Sequence, residues 1–277
     1  MKNKVPYGFI VYLTNHCYLK CKHCIWVQNG RINTEYIEYE TMKNVIDIMA
    51  KNKVYLVAYT GGDPLIHPDI FKILKYTRER GMLPLLGISG LDITEEIANK
   101  IYECGVRCVQ VSIDDVNKKY NDYLRGKGCL EKVDKSIDIL KAQKIYVNLA
   151  VCMNKNNQNN LNEILNYAYK KGIYELKIQF WEKINPKYNI PYLEELSKEE
   201  KVDIVNKIKV FEKKIGRENW ISIPMIEDEV MPFSRAMIID TNGDVKHNEH
   251  SEAIGNIYST NMENIFADYF DVDHGII

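Results

Sequence analysis

The 277-residue chain carries 37 Lys and Arg against 38 Asp and Glu, a formal net charge of −1, and 45% of its residues are hydrophobic. That length can bury a sizeable core, and the near-balance of charge without a long block of one sign excludes the electrostatic footprint of a nucleic-acid or anionic-membrane binder. Pro6 and Gly8 break the short apolar run at the start, no small-residue cleavage site follows, and no window reaches the length of a membrane span, so a cytoplasmic protein with reduced cysteines is expected.

Taken in chain order, apolar runs at 9–13, 54–59, 83–88, 107–113, 145–151 and 175–180 predict buried strands, because parallel strands covered on both faces lose a strict in/out alternation. Between them, apolar residues recur every three or four positions, as in Met42, Val45, Ile46 and Met49, then Ile70, Ile73 and Leu74, then Ile97 and Ile101. Val133, Ile137 and Leu140, then Leu161, Ile164, Leu165 and Ala168, continue the pattern, and a last helix is expected near 198–214. Six β-α units imply an α/β fold with a parallel sheet and right-handed crossovers, either doubly wound or curled into part of a barrel. After them, short strands at 220–226, 236–239 and 245–247, the last two flanking the turn Asn242-Gly243, predict a small hairpin-containing appendage. The expected division is therefore 1–217 and 218–277.

Three of the seven cysteines, Cys17, Cys21 and Cys24, lie within eight residues directly after the first strand. Thiolates at this spacing can wrap one compact metal centre, and three protein ligands leave one iron of a cubane free for an exchangeable ligand. A structural zinc site completed by His16 or His23 is the alternative. Zinc knuckles normally bring a second ligand pair about 12–20 residues away, whereas the next cysteine here is Cys104.

This three-cysteine loop after a first strand resembles the signature of the radical S-adenosylmethionine (SAM) superfamily, over about residues 5–181. The resemblance implies a partial (β/α)6 TIM-like barrel and a 4Fe-4S cluster on Cys17, Cys21 and Cys24. It implies that SAM chelates the fourth iron and is cleaved reductively to methionine and a 5′-deoxyadenosyl radical. His23, the residue before the third cysteine, stands where the family usually has an aromatic or a histidine, which the resemblance places near the adenine. Gly61-Gly62-Asp63-Pro64 resembles the family's Gly-Gly-Glu-Pro, whose backbone meets the SAM ammonium, with glycine allowing close approach and Asp63 replacing the commoner glutamate.

Ser112-Ile113-Asp114-Asp115 resembles the Ser-x-Asp segment that meets the ribose, Ser112 and Asp114 sharing a face while Asp115 caps a turn. Leu124-Arg125-Gly126 resembles a segment of peptide-modifying members, in which Arg125 would pair with the SAM carboxylate; a surface arginine is the alternative. All these motifs fall where strands end, the rim at which ligands bind in parallel α/β folds.

The stretches 238–245, 254–257 and 262–265 resemble the hairpin and tail of SPASM or twitch extensions, but no cysteine lies beyond Cys152 and auxiliary-cluster thiols are missing. His247 and His250 with Glu249 read either as solvated loop residues or as a metal site. Cys152, near the end of the fifth strand, is the leftover thiol placed to act as a hydrogen-atom or radical relay; Gln179, Phe180, Trp181 and Glu182 are candidate substrate contacts.

The resulting expectation is a radical SAM enzyme that abstracts a hydrogen atom from a substrate carbon, in ribosomal peptide maturation or on a small molecule such as a sugar, nucleoside or cofactor precursor. Flavodoxin or ferredoxin would supply the electron. With sixteen residues before Cys17, too few for a leader-binding domain, a separate leader-binding protein is the expected partner of a peptide maturase.

Overall fold

The computed structural model describes residues 6–30, 35–184, 186–224, 236–248, 251–259 and 262–271, with backbone alone for 267–271. In chain order it gives β1 (Gly8–Thr14), α1 (Ile25–Gln28), α2 (Tyr39–Lys51), β2 (Leu56–Gly61), α3 (Ile70–Glu79), β3 (Leu83–Gly87), α4 (Glu95–Glu103) and β4 (Cys108–Ser112). There follow α5 (Lys118–Arg125), α6 (Cys129–Ala142), β5 (Tyr146–Met153), α7 (Leu161–Lys170), β6 (Glu175–Phe180), α8 (Lys198–Ile215) and β7 (Ile221–Ser222). The chain then gives β8 (Ala236–Ile239), β9 (Asp244–Lys246), β10 (Gly255–Asn256) and α9 (Met262–Asp271).

The helices form where sequence chemistry starts them and buries a stripe. Thr94 caps α4, Asn117 caps α5, and Ser197 with Glu200 forms a reciprocal capping box on α8. Met42, Val45, Ile46 and Met49 on α2, and Ile164, Leu165 and Ala168 on α7, are buried at the spacing that aligns one helical face.

Among the described residues the strands form one sheet in the order β10-β9-β8-β1-β2-β3-β4-β5-β6-β7. From β8 across to β7 every neighbouring pair is parallel, and β8-β9-β10 are antiparallel. The sheet does not close: β1 spends its second edge on β8, in the register Gly8↔Ala236 to Val11↔Ile239. A partial barrel results.

Its strands keep an alternation that the uniform apolar runs concealed. Phe9, Val11, Val57, Tyr59, Val109, Val111, Leu149, Val151, Leu176 and Ile178 are fully buried, while their neighbours Ile10, Tyr12, Ala58, Thr60, Gln110, Ser112, Cys152 and Lys177 are half-buried. Helices cover one face completely and the other remains partly open, as a ligand-holding barrel interior requires.

Three helices were not expected, α1, α5 and α9. The tail is also better integrated than an appendage: its hairpin extends the barrel sheet, and Met237, Ile239, Val245, Met262, Ile265 and Phe266 join the same continuous core as the barrel. Phe266 packs on Phe9 with ring centroids 5.7 Å apart, and Lys51 pairs with Glu263 at 2.6 Å. The strand expected at 220–226 is the two-residue β7; its continuation from 225 lies outside the described residues.

Candidate functional site

The cysteine loop leaves β1 at the carboxyl rim and is gripped on one side by the end of β2. Gly62 N donates to Thr14 O at 2.6 Å and Asp63 N to His16 O at 2.8 Å. A Cβ on Gly62 would overlap the His16 carbonyl oxygen, and one on Gly61, whose φ is +124°, would overlap that of Thr14. The glycines are therefore explained by the close approach of the cysteine loop's own backbone, a closer partner than the ligand the sequence suggested. Asp63 points inward: buried at 3% exposure, its carboxylate accepts from Leu65 N at 3.1 Å, Ser89 N at 3.2 Å and the Ser89 hydroxyl, and burial pushes its pKa up. This side chain is occupied in joining the ends of β2 and β3.

On the other side the loop meets α5 and the end of β4. Lys22 N donates to Leu124 O at 2.8 Å, and Lys22 Nζ lies 5.0 Å from the centre of the Tyr123 ring. Asp114, wholly buried, receives Arg125 Nη2 on Oδ1 at 3.2 Å and faces Arg125 Nε across 2.7 Å on Oδ2. Cys152 N also donates to Oδ1 at 3.2 Å, and His23 Nδ1 stands 3.4 Å from Oδ2. Asn121 Oδ1 accepts from Asp114 N at 2.9 Å, and Asn157 Nδ2 donates to Asp114 O at 2.7 Å.

Burial works to raise the Asp114 pKa, but the Arg125 charge, the neighbouring His23 once protonated, and hydrogen bonds from Arg125 and Cys152 N together outweigh it and hold the carboxyl below its ordinary value. Burial pushes His23 down to about 4, so its imidazole is neutral at pH 7. Arg125, 8% exposed at its side chain, is a buried ion-pair partner; of the two readings of this residue, the surface arginine is excluded.

Cys17 and Cys21 are pushed up to about 11 and about 12 chiefly by burial, with the nearby Cys24 thiol adding to the rise in both. Leu19 N donates to Cys17 Sγ at 3.4 Å. Among the described residues no three His, Cys, Asp or Glu side chains close on a single metal ion, and His23 turns to Asp114 instead of completing a four-ligand zinc set with the cysteines. Three thiols on one loop within electrostatic reach, a donor set of thiolates alone, fit a cubane, with Arg125 close enough to offset thiolate charge. Asn15, 5% exposed at the root of the loop, has a buried Oδ1 with no partner among the described residues, a polar atom left for a bound group.

Ser112 is half-buried at the end of β4, beside Ala150 of β5. Cys152 is also half-buried, pairs in register with Gln179, and lies within electrostatic reach of Cys21 and Cys24; burial raises its thiol pKa, which opposes a thiolate role but not a hydrogen-atom one. Trp181 is core-like, packed with Leu124 and Leu193 beside Tyr120 and Cys152, its indole N–H without a partner among the described residues. Asp115 accepts from Asn117 N at 2.8 Å, the expected turn cap. Cys104, Cys108 and Cys129 stand at a helix end, a strand start and a helix start. His247 N donates to Ser251 Oγ at 3.1 Å, whereas Glu249 and His250 lie outside the described residues. Sequence reading missed Gln28, Asn121 and Asn157, amides whose roles leave no spacing signature.

The chain is similar to an AdoMet-dependent heme synthase of Methanosarcina barkeri, 28% identical over 161 residues that make 58% of this chain and 46% of that protein. It is similar as well to the mycofactocin maturase MftC of Mycolicibacterium smegmatis, 27% identical over 161 residues, 58% of this chain and 41% of that protein. The chain thus spans less than half the length of these curated relatives. In fold it matches Streptococcus suis SuiB bound to precursor peptide SuiA with a TM-score of 0.78 at 14% identity, covering 98% of this chain and 66% of that one. No described helix is long and apolar enough to cross a membrane. Residues 11–168, more than half the chain, match the radical SAM superfamily, whose members are enzymes using a 4Fe-4S cluster and SAM, and the chain belongs to that superfamily.

Proposed function

We propose that this chain is a radical SAM enzyme of ribosomal peptide maturation, abstracting a hydrogen atom from a carbon of a peptide substrate. The observation that carries the radical chemistry is the cysteine loop, held by backbone and ion-pair ties at the open rim of an unclosed parallel barrel. Cys17, Cys21 and Cys24 would hold the cluster, which when bound supplies the electron that splits SAM. His23, Ser112 and the Gly61-Gly62 backbone would bound the SAM pocket, with Asp63, Asp114 and Arg125 supporting it from behind. Cys152, within reach of the cysteine loop, would return or relay a hydrogen atom.

The peptide reading is supported by the names of MftC and of SuiB with its precursor peptide. The heme synthase among the relatives favours a second reading, a small-molecule substrate of the cofactor class. A cytoplasmic setting, a flavodoxin or ferredoxin donor and a separate leader-binding partner complete the proposal.

Two measurements test it. Cys17→Ala, Cys21→Ala and Cys24→Ala should each abolish 5′-deoxyadenosine release under dithionite while circular dichroism stays native; normal release from any one contradicts the cluster assignment. A short reading frame beside the gene whose peptide gains a mass change on incubation supports maturation, and turnover of a tetrapyrrole instead supports the second reading.

A further inference from the structure

We propose that Asp114 is a positioning residue: with Arg125 and His23 it locks the loop between the second and third cysteines into its binding conformation before iron arrives, and it does not itself touch SAM. This rests on the assignment of the three thiols to a cluster, but its central measurement is made without one.

The geometry leaves Asp114 no exposed edge, Oδ2 being enclosed by charged neighbours although it accepts no hydrogen bond among the described residues. Its side chain is 0% exposed, Oδ1 receives Cys152 N and Arg125 Nη2, and Oδ2 is flanked by Arg125 Nε and His23 Nδ1. A ribose diol needs an open carboxylate edge, and the open group of this segment is the half-buried Ser112, two residues earlier. The two residues that the motif pairs therefore separate into one facing the interior and one facing the loop.

What Asp114 grips is specific. His23 lies between Cys21 and Cys24, and Arg125 follows Leu124, whose carbonyl receives the N–H of Lys22, the neighbour of Cys21. A second tie continues the hold past Cys24. Gln28, buried at 4%, donates Nε2 to His23 O at 3.2 Å and accepts Ile184 N on Oε1 at 3.2 Å, joining the loop to the segment after β6. Residues 22–28 are thus fixed to β4, α5 and the β6 exit by protein contacts alone. A loop already ordered loses less conformational freedom when it takes up iron.

Hydrogen exchange on metal-free protein tests this, comparing wild type with Asp114→Asn, Asp114→Asn/Arg125→Gln and Ser112→Ala. Asp114→Asn should speed exchange across residues 16–28 by about tenfold without altering residues 129–142, and lower iron and sulfide uptake. The double variant, with no buried charge left unpaired, should recover much of the protection. Ser112→Ala should leave exchange and iron content alone and weaken SAM binding.

In the fraction of Asp114→Asn that does load, the reduced cluster's electron paramagnetic resonance spectrum without SAM should be altered, which a merely structural role distant from the loop would not do. Wild-type exchange, iron content and spectrum in Asp114→Asn, with only SAM affinity lost, would overturn the proposal and make Asp114 a nucleoside ligand. Should Asp114→Asn fail to fold, His23→Asn, which spares the ion pair, carries the test: loop-local loosening supports the lock and its absence overturns it. If wild type takes up no iron while loop exchange still responds, the cluster reading falls and the lock stands.

Discussion

The cysteine loop is held from two sides by different physics. At the end of β2 the grip is neutral and steric: two backbone hydrogen bonds formed because Gly61 and Gly62 lack a Cβ. At the end of β4 it is charged: a buried carboxylate joined to a guanidinium from α5 and an imidazole from the loop. The first fails when an atom is added, the second when a charge is removed. A reactive cluster needs its loop fixed against two separate strand ends, and using unlike interactions makes each end respond to different insults.

The largest difference should come from Asp114→Ala, which leaves Arg125 buried without its counter-ion. Breaking a buried pair by removing one partner costs about 3–5 kcal/mol, so the urea midpoint should fall sharply, with a smaller fall when Arg125 is changed as well. Gly62→Ala should cost less, about 1–3 kcal/mol, the usual range for overpacking, since the His16 carbonyl must yield to the new methyl. Its signature is local: the stability loss should be accompanied by deficient iron uptake, and no second-site charge change should restore it.

Acid separates the two grips. Asp114 has a folded pKa below its ordinary value of 3.8, despite the opposing effect of burial. Its contribution is therefore present above the unfolded pKa and is lost as pH falls through the lower folded one. With His23, which titrates at about 4 against Asp114, replaced by Asn in both proteins, the stability gap between Asp114 and Asp114→Asn should be constant near neutrality and narrow below about pH 4, whereas the gap to Gly62→Ala, which involves no titrating group, should not follow that course. Urea midpoints across pH 3–7 would read both; parallel curves would show that the ion pair contributes nothing.

How visible these grips were in the sequence follows from their range. The six barrel strands were legible because each is a short stretch rich in apolar residues bounded by helical patterns, and the turn Asn242-Gly243 announced the β8-β9 hairpin. That β8 lies parallel beside β1 was not legible, since the pairing joins residues more than 220 positions apart and no local pattern encodes a sheet neighbour. Lys118–Arg125 was passed over because its eight residues are mostly polar, and only Asn117 at its cap and Leu124 under the loop reveal a helix in retrospect. Arg125 was consequently read from its motif without its burial, which depends on where α5 docks. Gly61 and Gly62 read as a place where a ligand comes close, and the structure puts the backbone of the cysteine loop there; which group approaches a glycine is a tertiary fact.

The smallest expected effect concerns the roof over the charged grip. Tyr123 Oη donates to Pro191 O at 2.8 Å, and Tyr120 Oη lies 2.8 Å from Tyr192 O, so α5 holds the loop leading into α8 against the rim by two phenols. Tyr123 is partly exposed and its ring remains packed in Tyr123→Phe, so the change removes one hydrogen bond, worth about 0.5–1.5 kcal/mol. Global stability should hardly move. Because Leu124 and Arg125 belong to the same helix, however, any slackening of α5 reaches Asp114 and the Lys22 tie, and no such path leads to the glycine side. Tyr123→Phe should therefore raise exchange slightly at residues 22–28 while residues 60–63 stay at wild-type protection. Equal loosening at both places would mean that the loop is held as one unit and that the two grips are not independent.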